Sequence, residues 1–353
     1  MKKTIFTLAI LCSAIVGRAQ VTDEQSAILQ NGDNAQIFYG ADALKEAVEA
    51  APDRGATITL SAGTFNGTTI TKCVNIYGAG WVEEKTPKNN ENPADNSILP
   101  TIINSLLELN VPEALAAPHN FHIEGMRFNG GLTTARESSP IDGLEVVKCL
   151  FVTDVGDSHT DCIDKEHKNV HFIQCCLTGA HLLNAYYEMT FDNCWMELYY
   201  WAANNRAGIL HTSKEGGSLV FNHCVMNIAS TTVHSKFQCF NSILVAGGGG
   251  QYTNCFIRGE GLDASYLNST NNYFGTDWTK VFSDAGGIGY SDTRTFELTD
   301  EAKATYIGSD GTEIGINGGN YPWNKTPHTP LVKDLKLSID GKQLKVEYNA
   351  ETR

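Results

Sequence analysis

Between residues 146 and 259 one short pattern of apolar and polar positions keeps returning. An apolar residue is followed by two others, then by a cysteine, then by more apolar residues. The copies read Val146-Val-Lys-Cys149-Leu-Phe, Phe172-Ile-Gln-Cys175-Cys-Leu, Phe191-Asp-Asn-Cys194-Trp-Met, Phe221-Asn-His-Cys224-Val-Met and Tyr252-Thr-Asn-Cys255-Phe-Ile. A degenerate copy, Ile123-Glu-Gly-Met126-Arg-Phe128, precedes them, and others fall around Asn241-Ser242-Ile243 and Asn272-Tyr273-Phe274. The pivots recur at intervals of 13 to 30 residues. Units this short cannot bury an apolar face alone, so they must stack as a solenoid.

The spacing inside the phrase selects the kind of solenoid. Phe191 and Cys194 are three apart and would point to opposite faces of a straight strand. A one-residue corner between them lets both point inward. The residue before the pivot is Asn193, Asn241, Asn254 or Asn272, with Gly125 in the degenerate copy, and Asn and Gly enter the left-handed conformation most readily. Helical spacing and leucine-rich repeats are both missing. The expected fold is all-β: a right-handed parallel β-helix solenoid with coils about 4.8 Å apart. The stretch between Cys224 and Cys255 fits either two compressed coils or one coil with an insertion.

Residues 41–51 form the one clear amphipathic helix, with Leu44, Ala47, Val48 and Ala51 on one face, Asp42 where a cap belongs and Pro52 beyond the end. It is expected to cap the N-terminal end of the coils. Residues 20–36 read as polar and loose. Residues 325–353 read as a stiff linker followed by a β-hairpin that turns at Asp340-Gly341. The β-helix domain then spans residues 20–324.

Two phrases carry a family resemblance. Residues 58–65, Ile-Thr-Leu-Ser-Ala-Gly-Thr-Phe, and residues 76–80, Ile-Tyr-Gly-Ala-Gly, resemble the first coil of secreted right-handed β-helix proteins of the broad pectate-lyase-like superfamily. Residues 310–323, Asp-Gly-Thr-Glu-Ile-Gly-Ile-Asn-Gly-Gly-Asn-Tyr-Pro-Trp, resemble a closing phrase of exported bacterial β-helix proteins and would seal the far end. The resemblance implies the fold and leaves the activity open. The Asn-Thr-Asp, Asp-Asp and Gly-His-Gly steps of that superfamily's polygalacturonases are missing, which lowers the hydrolase version.

A basic start, Met1-Lys-Lys, an apolar run over residues 5–16 and small residues before Gln20 read as a signal peptide over 1–19. Export to the periplasm, cell surface or extracellular space follows, and no further run is long enough for a transmembrane segment. The formal charge of −14 argues against nucleic acid and anionic membranes as partners, and against polyanionic polysaccharides unless a cation bridges. The chain has ten Cys. Stacked residues on adjacent coils keep their Cβ atoms about 4.8 Å apart, whereas a disulfide needs about 3.8 Å. The ladder cysteines are therefore expected to be free, buried thiols.

Two clusters are candidates for chemistry. Asp154, Asp157, Asp161 and Asp164 lie within eleven residues, beside His159 and His167. Asp154, Asp157 and Asp161 could hold Ca2+, which takes oxygen ligands. Asp161 and Asp164, with Arg206 as the base, are the candidate catalytic residues of a polysaccharide lyase or glycoside hydrolase. The second cluster is aromatic: Tyr187, Trp195 and Tyr200, with Asn205, could form a platform that binds sugar faces. The reading that results is an exported protein that binds a polysaccharide, a cell-surface glycan or another surface partner without turnover, with lyase or hydrolase activity as the alternative.

Overall fold

The computed structural model describes residues 25–82, 84–85, 97–152, 155–157, 166–180, 182–183, 188–198, 217–228, 237–245, 250–259, 268–284, 287–328, 331–340 and 343–351. Three sheets of twelve, ten and five strands make up most of it, parallel throughout except for two antiparallel strands at the N-terminal edge of the first. Successive strands of each sheet come from successive turns of the chain. In one turn the chain passes through Asp142–Val147 on the long sheet, Leu150–Phe151 on the second sheet and Val155–Asp157 on the third. It then returns to the long sheet as Lys168–Ile173. This is the arrangement of a parallel β-solenoid. The stretch from Cys224 to Cys255 resolves into two turns, with Gln238–Phe240 and Ile243–Val245 forming the extra one.

Corners make the turns possible. Gly125, Lys148, Gln174, Asn193, His223, Asn241, Asn254 and Asn271 all have positive φ, from 48° to 72°. Each separates a long-sheet strand from a second-sheet strand, and each resets the alternation so that residues on both sides face inward. The last corner is Asn271, one residue earlier than the sequence suggested. Asn272 takes the interior position, where its Oδ1 accepts the Cys255 N–H at 2.8 Å. Two corners hold Lys and Gln, residues with no special ease in this conformation, and a third holds His. Their side chains supply the reason, as described below.

Inside the coils the pivots stack. Met126, Cys149, Cys175, Cys194, Cys224 and Cys255 are buried and belong to one core cluster. Each ladder thiol donates to the carbonyl two residues before it, at 3.3 Å for Cys149 and Cys194, 3.4 Å for Cys224 and Cys255 and 3.5 Å for Cys175. Ser242 makes the same bond to Phe240 at 2.7 Å. Neighbouring pivots are linked as well: the Cys175 N–H donates to Cys194 Sγ at 3.3 Å, and the Cys224 N–H to Ser242 Oγ at 2.9 Å. A small side chain with a weak donor and acceptor therefore suits a position where apolar packing meets corner backbone. All eight described cysteines are free and buried. Beside them, Phe172, Phe191 and Phe221 stack with centroids 4.8 and 5.2 Å apart.

The start of the chain differs from the sequence reading. Residues expected to be loose form two antiparallel strands, Ser26–Asn31 and Asn34–Tyr39, and the first pairs with Arg54–Leu60. Ala27 and Leu29 alternate inward and are buried, and Gly32 turns the hairpin at φ 59°. The helix α1, Ala43–Ala50, buries Ala43, Leu44, Ala47 and Val48. Asp42 makes no capping bond; its carboxylate accepts from Asn66 Nδ2 instead. The other α-helix among the described residues is α2, Asp300–Thr305.

The region after the last coil also departs from expectation. Residues 310–323 do not seal the far end; they run back along the outside of the stack. The outward positions of the second sheet, Leu150, Cys176, Trp195, Val225, Ile243 and Phe256, are apolar and cluster with Val281, Phe282, Phe296, Leu298, Ile314 and Ile316 from the tail. Beside that sheet the corner side chains grip the tail in reverse order. Asn241 Oδ1 accepts from the Ser309 N–H, and His223 Nε2 donates to Asp310 at 2.9 Å. Asn193 Nδ2 donates to the carbonyls of Ile316 and Gly318 at 2.8 and 2.7 Å, and Gln174 Nε2 to those of Tyr321 and Pro322. Lys148 Nζ reaches the Thr326 carbonyl at 2.6 Å. Gly319 lies flat on the His223 ring; a Cβ there would come within 2.6 Å of it. The supposed linker is likewise docked, at least to His328, whose N–H donates to Glu124. Leu331–Asp340 and Gln343–Glu351 then form the expected antiparallel pair.

Three substitutions test this account. Ser242 already fills a pivot position, so Cys194→Ser should change unfolding free energy by about 1 kcal/mol or less. Cys194→Leu should overpack the ladder and cost about 1–3 kcal/mol. Asn193→Gly keeps the corner but removes both side-chain bonds to the tail, leaving Ile316 with the Trp323 N–H and Gly318 without its side-chain donor, a loss of about 1–3 kcal/mol. Urea denaturation of the three variants reads all of these.

Candidate functional site

Side chains on the outer face of the long sheet fall into two columns set by strand register. One runs Asn75, His122, Glu145, His171, Thr190. The other runs Tyr77, Glu124, Val147, Ile173, Asp192, Asn222. A groove of about 580 Å³ follows the first column, with Asn120, Gly143 and Asn169 along one rim. These three residues also have positive φ, of 53°, 90° and 52°. A Cβ on Gly143 would meet Asn120 Oδ1 at 2.6 Å, so this rim needs glycine there. A second cavity of about 400 Å³ shares His122 and Glu145 and is closed by Tyr321, Pro322, Asn324 and His328 of the tail.

His122 sits at the junction. Its Nδ1 donates to Glu145 at 2.7 Å and its Nε2 to Glu124 at 3.0 Å, while Tyr77 lies against the ring at 4.9 Å. Burial works against the charged imidazole, but the bonds to the two carboxylates outweigh it and push its pKa up to about 9. Glu124 is nearly inaccessible. Burial would raise its pKa, yet the bonds from His122 and His328 hold it below the usual range. Glu145 is also held low, chiefly by the His122 bond, although its side chain is 48% exposed. Burial lowers the Lys148 pKa. Further along, His171 Nε2 donates to Asp192 at 2.5 Å, and Asn222 Nδ2 donates to the other carboxylate oxygen at 2.9 Å. The Tyr321 ring meets His171 edge-on at 6.2 Å.

This is a preorganised polar surface with ionised carboxylates and fixed imidazoles, able to hydrogen-bond a polar ligand laid across several coils. Among the described residues no group of three or more His, Cys, Asp or Glu side chains is arranged to hold a metal ion.

The residues singled out from sequence do not include the side chains of this groove. Asp154, Asp161, Asp164, Arg206, Tyr187, Tyr200 and Asn205 fall outside the described residues. Asp157 ends the third-sheet strand Val155–Asp157, opposite Thr134. Trp195 is described, and it is fully buried. Its indole N–H donates to the Ile288 carbonyl at 2.9 Å, and the ring packs on Tyr290 at 5.1 Å. It anchors the tail to the second sheet and is no platform for sugar. The column of His122, Glu145 and His171 is not among the sequence candidates, although a signal exists. In Phe121-His-Ile, Leu144-Glu-Val and Val170-His-Phe a polar residue sits between two inward apolar ones, and aligning the strands brings the three together.

No family model, curated protein or solved structure matches the chain.

The His122 pair of bonds fixes a pH dependence. Its folded pKa of about 9 lies above the ordinary 6.5, so its contribution to stability is complete below about pH 6.5 and is lost as pH rises through about 9. Imidazole NMR should show His122 titrating near 9, with Glu145→Gln moving it down towards 6.5. A wild-type value near 6.5 contradicts the geometry.

Proposed function

We propose that the protein is an exported right-handed β-helix protein of pectate-lyase-like type that binds a glycan along the groove on the long sheet. The handedness follows the general preference of crossover connections between parallel strands. The observation that carries the binding reading is the continuity of the two cavities through His122 and Glu145, roofed at one end by the tail. Together they offer an elongated, polar, largely preformed cleft, the shape that suits an extended chain of hydroxylated rings. Tyr77 and Tyr321 place aromatic edges beside it.

Binding is favoured over glycoside hydrolysis by the carboxylates themselves. Hydrolysis by a carboxyl pair needs one member held protonated as the acid. Glu124 and Glu145 are both held ionised, and both are tied to His122. Polymer elimination is disfavoured by the net charge, which repels uronate chains.

A polysaccharide panel tests the reading by calorimetry, with reducing-end and ultraviolet assays for products. The expected result is binding without turnover, weakened about tenfold, or about 1.4 kcal/mol, by His171→Ala or Tyr321→Ala. Failure of every glycan to bind, or unchanged binding in both variants, would remove the groove from consideration.

A further inference from the structure

The groove's hydrogen-bonding capacity is lopsided. Most of its nitrogen donors are already engaged within the protein. His122 gives both ring N–H groups to Glu145 and Glu124, His171 gives Nε2–H to Asp192, and Asn169 Nδ2 donates to Asp142 at 2.6 Å. Below the tail, Gln174 and Lys148 point their nitrogens at tail carbonyls. Beside Asn120 Nδ2 on the rim, what remains open is chiefly acceptor capacity. Glu145 uses Oε2 for His122 and keeps its other oxygen, on a half-exposed side chain. Glu188 lines the same cavity, and among the described residues no side chain pairs with its carboxylate.

A ligand filling this groove must therefore bring the donors. Neutral hydroxyls meet that need in part. Protonated amines meet it better, because an ammonium adds a full opposite charge to a bond whose acceptor is already ionised. A uronate would bring further acceptors and like charge.

Resting on the glycan reading, we propose that the groove takes a glycan bearing free amino groups, with Glu145 and Glu188 pairing to two ammonium groups spaced along it. Register supports the pairing: Glu145 faces His171 on the next coil, and His171 faces Thr190, two residues after Glu188 on the coil beyond. The two carboxylates thus lie along the groove, two coils apart, as a chain with repeated charges requires.

Calorimetry on the full-length protein decides the matter with four probes: a glucosamine oligomer, its N-acetylated counterpart, a galacturonate oligomer and a linear polyamine. The glucosamine oligomer should bind at least about tenfold more tightly than the N-acetylated one, and Glu188→Gln and Glu145→Gln should each erase most of that difference while leaving far-ultraviolet circular dichroism unchanged. Equal binding of the first two probes, or preference for the uronate, overturns the amino-sugar assignment while the glycan reading stands. Binding of the polyamine with no sugar bound upholds the charge argument and overturns the glycan reading.

Discussion

A left-handed corner between the long sheet and the second, repeated from turn to turn, governs this molecule. With backbone φ near 50° at one position, the chain bends sharply enough to leave the long sheet and enter the second, and side chains three apart share the interior. Repeated coil after coil, that bend aligns thiols, phenyl rings and strand hydrogen bonds in the same register. The interior ladder follows from it: a pivot just after such a bend faces the carbonyl two residues back, and a thiol or hydroxyl answers that carbonyl while remaining small.

The same bend has an outward consequence. A corner residue's own side chain leaves the coil beside the second sheet, where Lys148, Gln174, Asn193, His223 and Asn241 form a row of hydrogen-bonding arms. Lys and Gln tolerate a left-handed backbone less readily than Asn does. Their presence makes sense when the corner must also reach a chain lying outside. The tail answers with carbonyls in reverse order and with apolar residues that cover the second sheet. Once that face is covered, the long sheet carries the described groove, and the tail becomes one of its walls through Tyr321 and His328.

Much of the fold was legible because its signals are local. The Phe-x-x-Cys phrase and the Asn corners each lie within a few residues. The amphipathic face of Leu44, Ala47 and Val48 was equally plain. The N-terminal hairpin was overlooked because only Ala27 and Leu29 mark its buried face. Tail docking escaped because Trp195, Val225 and Ile243 sit at outward strand positions, where apolar residues make sense only once a distant segment is known to lie over them. The groove was hardest to see. His122, Glu145 and His171 are separated by 23 and 26 residues, and only register aligns them. Dense local clusters such as Asp154 to Asp164 drew attention instead, and they lie outside the described residues.

If corners and tail form one cooperative structure, native-state hydrogen exchange should reveal it. The Gly315 amide, bonded to the Asn241 carbonyl, and the Asn193 amide, bonded to the Asn222 carbonyl, should exchange only with global opening and show the same dependence on denaturant. A Gly315 amide that exchanges through a separate local opening, orders of magnitude faster than Asn193, would show that the corners hold the coils alone and that the tail is a passive cover.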